Sequence, residues 1–328
     1  MRVHRDINNL PAFKNAAITI GTFDGVHTGH LQIINQLKKE AQKNNGEAVI
    51  ITFHPHPRMI IQSREKEPNN RPSIKLLNTL SEKIELLRKH EIDHLVIVPF
   101  TKEFSNQTPD EYIHDFLVSK FHPQTIIIGY DHRFGRDRKG DYKLMEKYQE
   151  SFHYNVKEIP EHVLHNVTIS SSKIRQALIV GDIKTANEYL GYEYFFEGKI
   201  VEGNKLGKTL GYPTANILVN DAFKLIPAYG VYAVTVSIGV ESKKPDDTFI
   251  TEATYKGMMN IGIRPTIGDN KIMIEVNIFD FNKDIYGRTM RVYIKKYMRP
   301  EIKFNNLEEL KIQMGIDEID VKRVLNGD

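Results

Sequence analysis

The sequence predicts an α/β protein in two parts, a parallel sheet covered by helices followed by a domain of antiparallel strands. Three observations support this prediction. The 328 residues are too many for one ordinary hydrophobic core. In the first half, continuous apolar runs alternate with amphipathic stretches, which is typical of a parallel sheet. In the second half, strand-like segments follow one another at hairpin spacing.

Four apolar runs in the first half have the character of buried strands, and the stretches between them have helical spacing. The strands are expected at residues 16–22, 49–53, 94–100 and 125–129. The helices are expected from residue 30 onward and over residues 81–90 and 109–121. Ligands of parallel sheets bind beyond the carboxyl ends of the strands. The turns at Gly21, Phe53 and Gly129 are therefore expected to meet at one edge of the sheet.

Apolar alternation in the second half predicts antiparallel pairing in a closed or sandwich-like structure. Its strands are expected at residues 195–202, 230–238, 251–261, 271–279 and 290–296, after short helices at 174–178 and 183–190. Residues 239–249 are polar and rich in turn formers, which predicts an exposed hairpin loop. Leu307, Leu310 and Met314 indicate a closing helix. The boundary is expected within residues 181–194, which gives domains 1–184 and 185–328.

The overall composition excludes several classes of site and limits the kinds of partner that the chain is expected to bind. The 45 Lys and Arg residues nearly balance the 42 Asp and Glu residues, so no nucleic-acid partner is indicated. The sequence has no cysteine, which excludes disulfides, a thiolate nucleophile and a Cys-ligated zinc site. No secretory signal and no membrane-length apolar run is found, so we expect a cytoplasmic protein with small-molecule substrates. An oligomer is possible but is not indicated.

The segment GTFDGVHTGH, residues 21–30, has the features of a phosphate-handling turn. Gly21, Gly25 and Gly29 allow a ligand to approach the backbone closely. The helix that follows offers unpaired N–H groups and a partial positive charge. His27 and His30 add donors where charge builds up during nucleotidyl transfer. The alternative is a glycine-rich turn with two incidental histidines, and no third ligand indicates a zinc site.

Two other segments also combine features that suit phosphate. In ISSSKIR, residues 169–175, serine hydroxyls and backbone N–H groups lie at a helix start and Arg175 lies one turn in. The alternative there is a serine N-cap followed by a surface arginine. In GNKLGKTLGYPTAN, residues 203–216, glycines alternate with lysines and the oxygens of Thr214 and Asn216 suit Mg²⁺. The alternative there is a flexible glycine loop.

Several motifs of the first half resemble those of prokaryotic FAD synthetases. The histidine turn is similar to the HxGH motif and ISSSKIR to ISSTxIR, while TFHPHP at 52–57 and GYDHRFG at 129–135 resemble TFEPHP and GxDFRFG. The chain departs from this pattern at His54, His132 and Ser172. The resemblance implies catalytic roles for His27 and His30. It implies ATP contacts at Gly21, Phe23, Asp24, Gly29, Ser171, Ser172 and Arg175, and flavin contacts at Pro55, His56, Pro57, Asp131 and Phe134.

The second half resembles riboflavin kinases in a fixed order of motifs. PTAN at 213–216 is followed by YGVY, MNIGIRPTIG, IEVNIFDFNKDIYG and YMRPEIKF. The resemblance implies that Glu275 is the general base and that Thr214 and Asn216 hold Mg²⁺ and ATP. It implies that Arg299 and Glu301 contact the flavin. The glycine loop would contribute ATP contacts at Gly203, Lys205, Gly207, Lys208 and Gly211.

Over residues 15–325 the chain is thus similar to the bifunctional riboflavin kinase/FMN adenylyltransferase family. The resemblance implies a Rossmann-like nucleotidyltransferase domain followed by an antiparallel β-barrel with a closing helix. It implies two reactions: riboflavin and ATP give FMN, and FMN and ATP give FAD and pyrophosphate. One alternative is adenylylation of another phosphate, as in pantetheine-phosphate or nicotinate enzymes with the same turn. A second alternative is a flavin-binding sensor without chemistry.

Overall fold

The computed structural model describes residues 1–62, 74–159, 169–203, 206–241, 249–266 and 269–327. Lys205 and most of the predicted hairpin loop, at 242–248, lie outside the described residues. The chain divides into two compact units. The first unit comprises Met1–Ile74 and Leu80–Ser170, and the second comprises Lys75–Thr79 and Ser171–Asp328.

The first unit contains a six-stranded sheet in which every neighbouring pair is parallel. Its strands in chain order are β1 Arg2–His4, β2 Ala17–Ile20, β3 Ala48–His54, β4 His94–Pro99, β5 Thr125–Gly129 and β6 Asn155–Ile159. They are arranged as β1-β4-β3-β2-β5-β6. The predicted parallel sheet is confirmed, and all four predicted strands are present, one of them with the predicted ends and three with shifted ends.

Helices pack on this sheet and bury its apolar side chains. The helix Thr28–Lys43 buries Ile34, Leu37 and Ala41, which explains its apolar spacing. Among its described residues, the α-helices of this unit are Thr28–Lys43, Pro57–Gln62, Leu80–Arg88, Pro109–Glu111, Ser119–Phe121, Tyr142–Lys147 and Gln149–Phe152. A π-helical stretch, Tyr112–Val118, joins two of them, and its Phe116 packs in the core with strand residues such as Ile18 and Val49.

The strand order places the histidine turn at the point where the sheet connections reverse direction. The chain runs from β2 outward through β3 to β4, and then returns to the other side of β2 to form β5. A crevice is expected at the carboxyl ends of strands that flank such a reversal. The segments that follow β2, β3 and β5 therefore open at the same edge, as predicted from the sequence.

The second unit is a closed six-stranded barrel with antiparallel pairing throughout. Its strands are β7 Phe195–Val201, β8 Thr214–Leu218, β9 Gly230–Glu241, β10 Phe249–Thr266, β11 Asp269–Ile278 and β12 Thr289–Arg299. They close in the order β10-β11-β8-β7-β12-β9. The barrel is confirmed, and β8 is an additional strand that begins within the PTAN segment.

In the part of the second unit that the structure describes, four helices complete the fold. They are Ser171–Ile179, Ile183–Leu190, Leu206–Thr209 and Leu307–Asn326. The last is the predicted closing helix, and its Val321 packs on Ala233, Met258 and Phe279 of the barrel. Among the described residues, no helix is long and apolar enough to cross a membrane.

Candidate active sites

The turn between β2 and the helix Thr28–Lys43 has an unusual backbone. Phe23, Gly25 and Val26 have φ values of 46°, 90° and 37°. Such values are costly for residues with a side chain, and they persist only where the surroundings fix them. Phe23, Asp24 and His27 are all buried, so the turn is packed rather than loose. Gly29 lies against the His27 ring, because an added Cβ would be 3.2 Å from its Nδ1.

His27 and His30 form a stacked pair at the helix N-terminus. Their ring centroids are 3.7 Å apart with 17° between the planes. The backbone N–H of His30 donates to Nδ1 of His27 at 3.4 Å, so the proton of a neutral His27 ring lies on Nε2. The pKa of His30 lies well below its usual value because of burial, and His27 and Lys83 lower it further. His30 is therefore neutral near pH 7.

The His30 ring also has an unused polar atom. Its Nδ1 is buried and has no hydrogen-bond partner among the described residues. Buried polar atoms are nearly always paired in native structures, so one that is not suggests a ligand or water. The pair can therefore offer imidazole N–H groups to phosphate oxygens without carrying a permanent charge.

Lys83 is a part of this site that the sequence motifs do not include. It lies on the helix Leu80–Arg88 and is only 7% exposed. Its Nζ donates to the carbonyl oxygen of Thr22 at 2.7 Å. Burial lowers the pKa of Lys83, while the nearby carboxylate of Asp24 raises it. A lysine between apolar helix positions gives no sequence signal that would distinguish it from a surface residue.

The residues predicted to contact the flavin differ in accessibility. Pro55 and Pro57 are half-buried after β3, and Asp131 is exposed after β5, at the edge of the sheet that carries the histidine turn. His56 is buried, and its Nδ1 accepts from the backbone N–H of Arg58 at 3.2 Å. Three of the five thus have accessible surface at the expected edge, and their flavin contacts stay a prediction.

Phe134 is buried in the core of the first unit. Its ring is 5% exposed and stacks on Tyr112 with a centroid distance of 4.9 Å. Gly140 makes this packing possible, because an added Cβ would be 2.4 Å from the Phe134 ring. The described geometry therefore offers no open face of this ring to a flavin, and the predicted contact has no geometric support.

The predicted ATP residues of the ISSSKIR segment lie at the start of the helix Ser171–Ile179, in the second unit. Ser171 and Arg175 are half-buried and Ser172 is exposed. The Nε of Arg175 donates to the carbonyl oxygen of Lys75 at 2.7 Å. The helix start thus has the predicted arrangement of hydroxyls and a guanidinium group, and its role in binding ATP stays a prediction.

The barrel unit contains a cavity of about 320 Å³ that brings several predicted residues together. Gly207, Thr214, Glu275, Arg299 and Glu301 all line it. Ile274 and Val276 are buried on the opposite side of the strand, as the alternation predicts. The apolar part of the wall consists of Leu210, Val231, Met258, Met259, Ile263, Met273, Ile302, Phe304, Leu310 and Met314. A cavity of this size with a few convergent polar groups suits a small-molecule substrate.

The strand pairing places Glu275 beside the PTAN segment. In the register of β11 and β8, Glu275 lies opposite Asn216, and Asn277 lies opposite Thr214. Gly203 lies against the side chain of Asn216, because an added Cβ would be 2.0 Å from its Nδ2. Gly211 has a φ of 89°, which favours glycine. The side chain of Lys208 lies outside the part of the chain that the structure describes, so its ATP contact stays a prediction.

Arg299 is held by a residue that the motifs do not include. Its Nε and Nη2 donate to the carboxylate of Asp317 at 2.8 Å and 2.6 Å. Asp317 is 6% exposed and lies on the closing helix. Glu301 is exposed and lies against Gly262, where an added Cβ would be 2.0 Å from its Oε1. Asp317 and Asn277 are thus further polar residues of this cavity.

Comparison with known proteins agrees with the two sites. The chain matches the family described as FAD synthetase over residues 10–173 and the family described as riboflavin kinase over residues 190–325. The chain belongs to the bifunctional riboflavin kinase/FMN adenylyltransferase family. A family member from Listeria monocytogenes is 34% identical over 94% of this chain and 92% of its own. One from Escherichia coli K12 is 33% identical over 97% and 96%.

A solved structure also matches along the whole chain. It is described as a macrolide-efflux protein from Streptococcus pneumoniae, and it is 29% identical with a TM-score of 0.82 over 98% of both chains. That description disagrees with the two matched families and with the curated family members. Because those comparisons agree with each other, this structure supports the fold alone.

Proposed function

We propose that each unit carries one of the two reactions of the family, with the residues described above. The chain is a riboflavin kinase and an FMN adenylyltransferase, with ATP, riboflavin, FMN and FAD as substrates or products. The observation that best supports the assignment of residues is the cavity that Glu275 and Thr214 share, next to a wall of apolar side chains. That combination suits a flavin whose hydroxyl group meets a nucleotide.

In the first unit, we assign adenylyl transfer to the histidine turn. A phosphate oxygen of FMN attacks the α-phosphorus of ATP and forms the new P–O bond, while the bond to the β-phosphate breaks and pyrophosphate leaves. The attacking oxygen is already ionised, so no general base is required. Imidazole N–H groups of His27 and His30 stabilise the charge that develops on the phosphate oxygens. Backbone N–H groups at the start of the helix Thr28–Lys43 act in the same direction.

In the second unit, we assign phosphoryl transfer to the barrel cavity. The Glu275 carboxylate accepts the proton of the terminal ribityl hydroxyl, whose oxygen bonds to the γ-phosphorus of ATP. The bond between the γ-phosphorus and the bridging oxygen breaks, and ADP leaves. Thr214 and Asn216 orient the nucleotide, while the apolar wall excludes water from the reacting atoms.

The donors in this unit fit Mg²⁺ rather than a transition metal. Thr214 and Asn216 offer a hydroxyl and an amide oxygen, and they lie two residues apart on β8. Within the described ranges, no group of three or more His, Asp or Glu side chains could hold a metal ion. Mg²⁺ usually completes its shell with water and nucleotide phosphates, so few protein ligands suffice. When bound, the ion would neutralise charge on the phosphates.

The substrates are small molecules. The absence of a nucleic-acid partner and the cellular location remain proposals. The nearly balanced charge favours no nucleic-acid partner. A cytoplasmic location stays a prediction from composition.

An assay with riboflavin, ATP and Mg²⁺ that separates FMN from FAD by chromatography tests the assignment. His30→Ala should stop FAD formation and leave FMN formation unchanged. Glu275→Ala should stop FMN formation from riboflavin but still convert supplied FMN to FAD. A folded variant that loses both activities would contradict the two-site assignment, and formation of neither product by the native chain would favour a flavin sensor.

A further inference from the structure

A buried positive charge lies directly behind the histidine turn. Lys83 is 7% exposed, and the neighbouring positions Ile84 and Leu87 on its helix are fully buried. Placing an ammonium group in such surroundings is unfavourable unless other groups compensate for its lost hydration. The compensating groups here are the Thr22 carbonyl oxygen and the Asp24 carboxylate, and both belong to the turn.

The contact at Thr22 fixes the entrance to the turn. The carbonyl oxygen of Thr22 accepts from Nζ of Lys83 at 2.7 Å and from Oγ1 of Thr52 at 3.2 Å. The next residue, Phe23, adopts a positive φ that the chain does not favour. Two donors from different elements thus hold the peptide group at which the unfavourable conformation starts. Without one of them, the backbone N–H groups and the histidines would have a less defined position.

The charge of Lys83 also acts on the histidine pair. Among the described residues, the titratable groups that act on His30 are the ring of His27, at the N-cap of the same helix, and Lys83 on the helix Leu80–Arg88. Both lower the pKa of His30, in addition to burial, whereas Asp24 faces Lys83 and opposes the effect of burial there. The ammonium group therefore favours a neutral His30 ring and adds positive potential behind a turn that would receive two anionic substrates.

We propose that Lys83 is a positioning residue of the adenylyl transfer reaction, which holds the phosphate-handling turn through Thr22 and contributes a fixed positive charge behind His30. The inference rests on the assignment of FMN adenylyl transfer to the histidine turn. Lys83 does not itself contact the reacting atoms in this assignment. It acts on rate through the geometry of the turn and through the protonation state of the histidines.

Lys83→Met preserves the length of the side chain and removes both the charge and the donor. The expected result is a decrease of about 100-fold in kcat for FAD formation from supplied FMN, the size of loss that a displaced catalytic group causes. The KM for ATP should change less than kcat, and riboflavin phosphorylation by the barrel unit should be unchanged. Lys38→Met is the matched control, because Nζ of Lys38 also donates to a backbone carbonyl oxygen, that of His90, but does not contact the turn.

The dependence of the rate of FAD formation on pH distinguishes the positioning role of Lys83 from a purely structural role. Removing the positive charge raises the pKa of His30, so the acid limb of the FAD-forming rate should move to higher pH in Lys83→Met and Lys83→Gln. Lys83→Arg, which retains the charge, should keep the native limb. A titration of the His30 ring by NMR in the full-length chain should show the same order.

The outcomes distinguish the inference from the function on which it rests. If His30→Ala stops FAD formation while Lys83→Met keeps the native kcat and the native acid limb, the inference is wrong and the proposed function stands. If His30→Ala retains FAD formation, the proposed function of the turn is wrong. Should Lys83→Met fail to fold, Lys83→Gln decides the matter, because an unshifted acid limb in that variant would overturn the inference.

Discussion

The side-chain amide of Asn277 donates to the carbonyl oxygen of Pro213 at 2.8 Å. This bond connects β11, which carries Glu275, to the residue that precedes β8. Asn277 is 7% exposed and lies on the cavity side of its strand, two residues after Glu275. The proposed base and the proposed nucleotide ligands Thr214 and Asn216 are thus held in one frame by a residue to which the family resemblance assigned no role.

Asn277→Ala should decrease riboflavin phosphorylation without affecting FAD formation from supplied FMN. The substitution leaves the Pro213 carbonyl without this partner, which costs about 1–3 kcal/mol where the group stays buried. The rates of the two reactions, measured on the same preparation, test the prediction. Asn326→Ala is the control, because the Asn326 side chain also forms a hydrogen bond in the second unit, as acceptor from Nζ of Lys256, but does not line the cavity. Equal rates in the two variants would contradict the prediction.

Gly207→Ala should impair the kinase by moving the segment before β8. An added Cβ at Gly207 would be 2.3 Å from the carbonyl oxygen of Tyr212, and a backbone atom cannot move away as a side-chain end can. The N–H groups of Leu210 and Tyr212 both donate to the Gly207 carbonyl oxygen, so the shift reaches the PTAN segment. We expect a decrease of about 10-fold or more in kcat/KM for riboflavin.

Gly315→Ala is the matched control for that substitution. It lies in the closing helix, and among the described residues its added Cβ would meet only the Tyr212 hydroxyl, at an ordinary 3.4 Å. Alanine also favours a helix over glycine by up to about 1 kcal/mol, so this variant should be slightly more stable and equally active. A larger loss of kinase activity in Gly315→Ala than in Gly207→Ala would contradict the collision argument.

Asp317→Ala should destabilise the barrel unit by about 3 kcal/mol, the usual cost of leaving one member of a buried ion pair without its partner. Asp317 accepts two bonds from Arg299 and one from Gln313 at 2.9 Å. A double-mutant cycle with Arg299→Met, followed by urea denaturation, should give a clear coupling energy. The exposed pair Arg323–Asp320 provides the contrast, because Asp320→Ala should cost less than about 1 kcal/mol. Similar costs at both positions would contradict the prediction.

Most strands and helices could be predicted from the sequence, because the spacing of apolar residues indicates them. The four strands with continuous apolar runs were predicted, since burial on both faces of the sheet makes most of their side chains apolar. β6 was missed because its sequence NVKEI alternates with charged residues at the edge of the sheet. β8 was missed because glycines and a proline dominate the segment 203–216 in which it begins, and its strand character is confined to five residues.

The sites were predictable only where a motif is continuous in the chain. His27, His30 and Glu275 could be named because their neighbours in sequence are also their neighbours in space. Lys83 and Asp317 could not, since each reaches its site from a helix whose sequence has an ordinary amphipathic pattern. Asn277 is an intermediate case, because its position two residues after Glu275 puts both on one face of the strand.

His132 gives a prediction on pH that follows from burial. Its Nε2 is buried and has no hydrogen-bond partner in the part of the chain that the structure describes. Burial lowers the pKa of His132 to about 4; Asp131 opposes this shift, while Arg138 and Arg133 add to it. In the unfolded chain the pKa is about 6.5. Below that value the unfolded state binds a proton that the folded state does not, so folding stability decreases as the pH falls from about 6.5 to about 4.

His132→Phe removes this titration and the unpaired nitrogen together. Through His132, the native chain should lose up to about 3 kcal/mol of folding stability on acidification. The variant should not show this loss. The urea midpoint at pH 7.5 and at pH 5 measures the effect. His4, His30 and His90 also have lowered pKa values and contribute to the slope in both proteins, so the difference between the two slopes isolates His132. If folding stability falls equally with pH in the native chain and in the variant, this ring is already protonated, or hydrated, in the folded state.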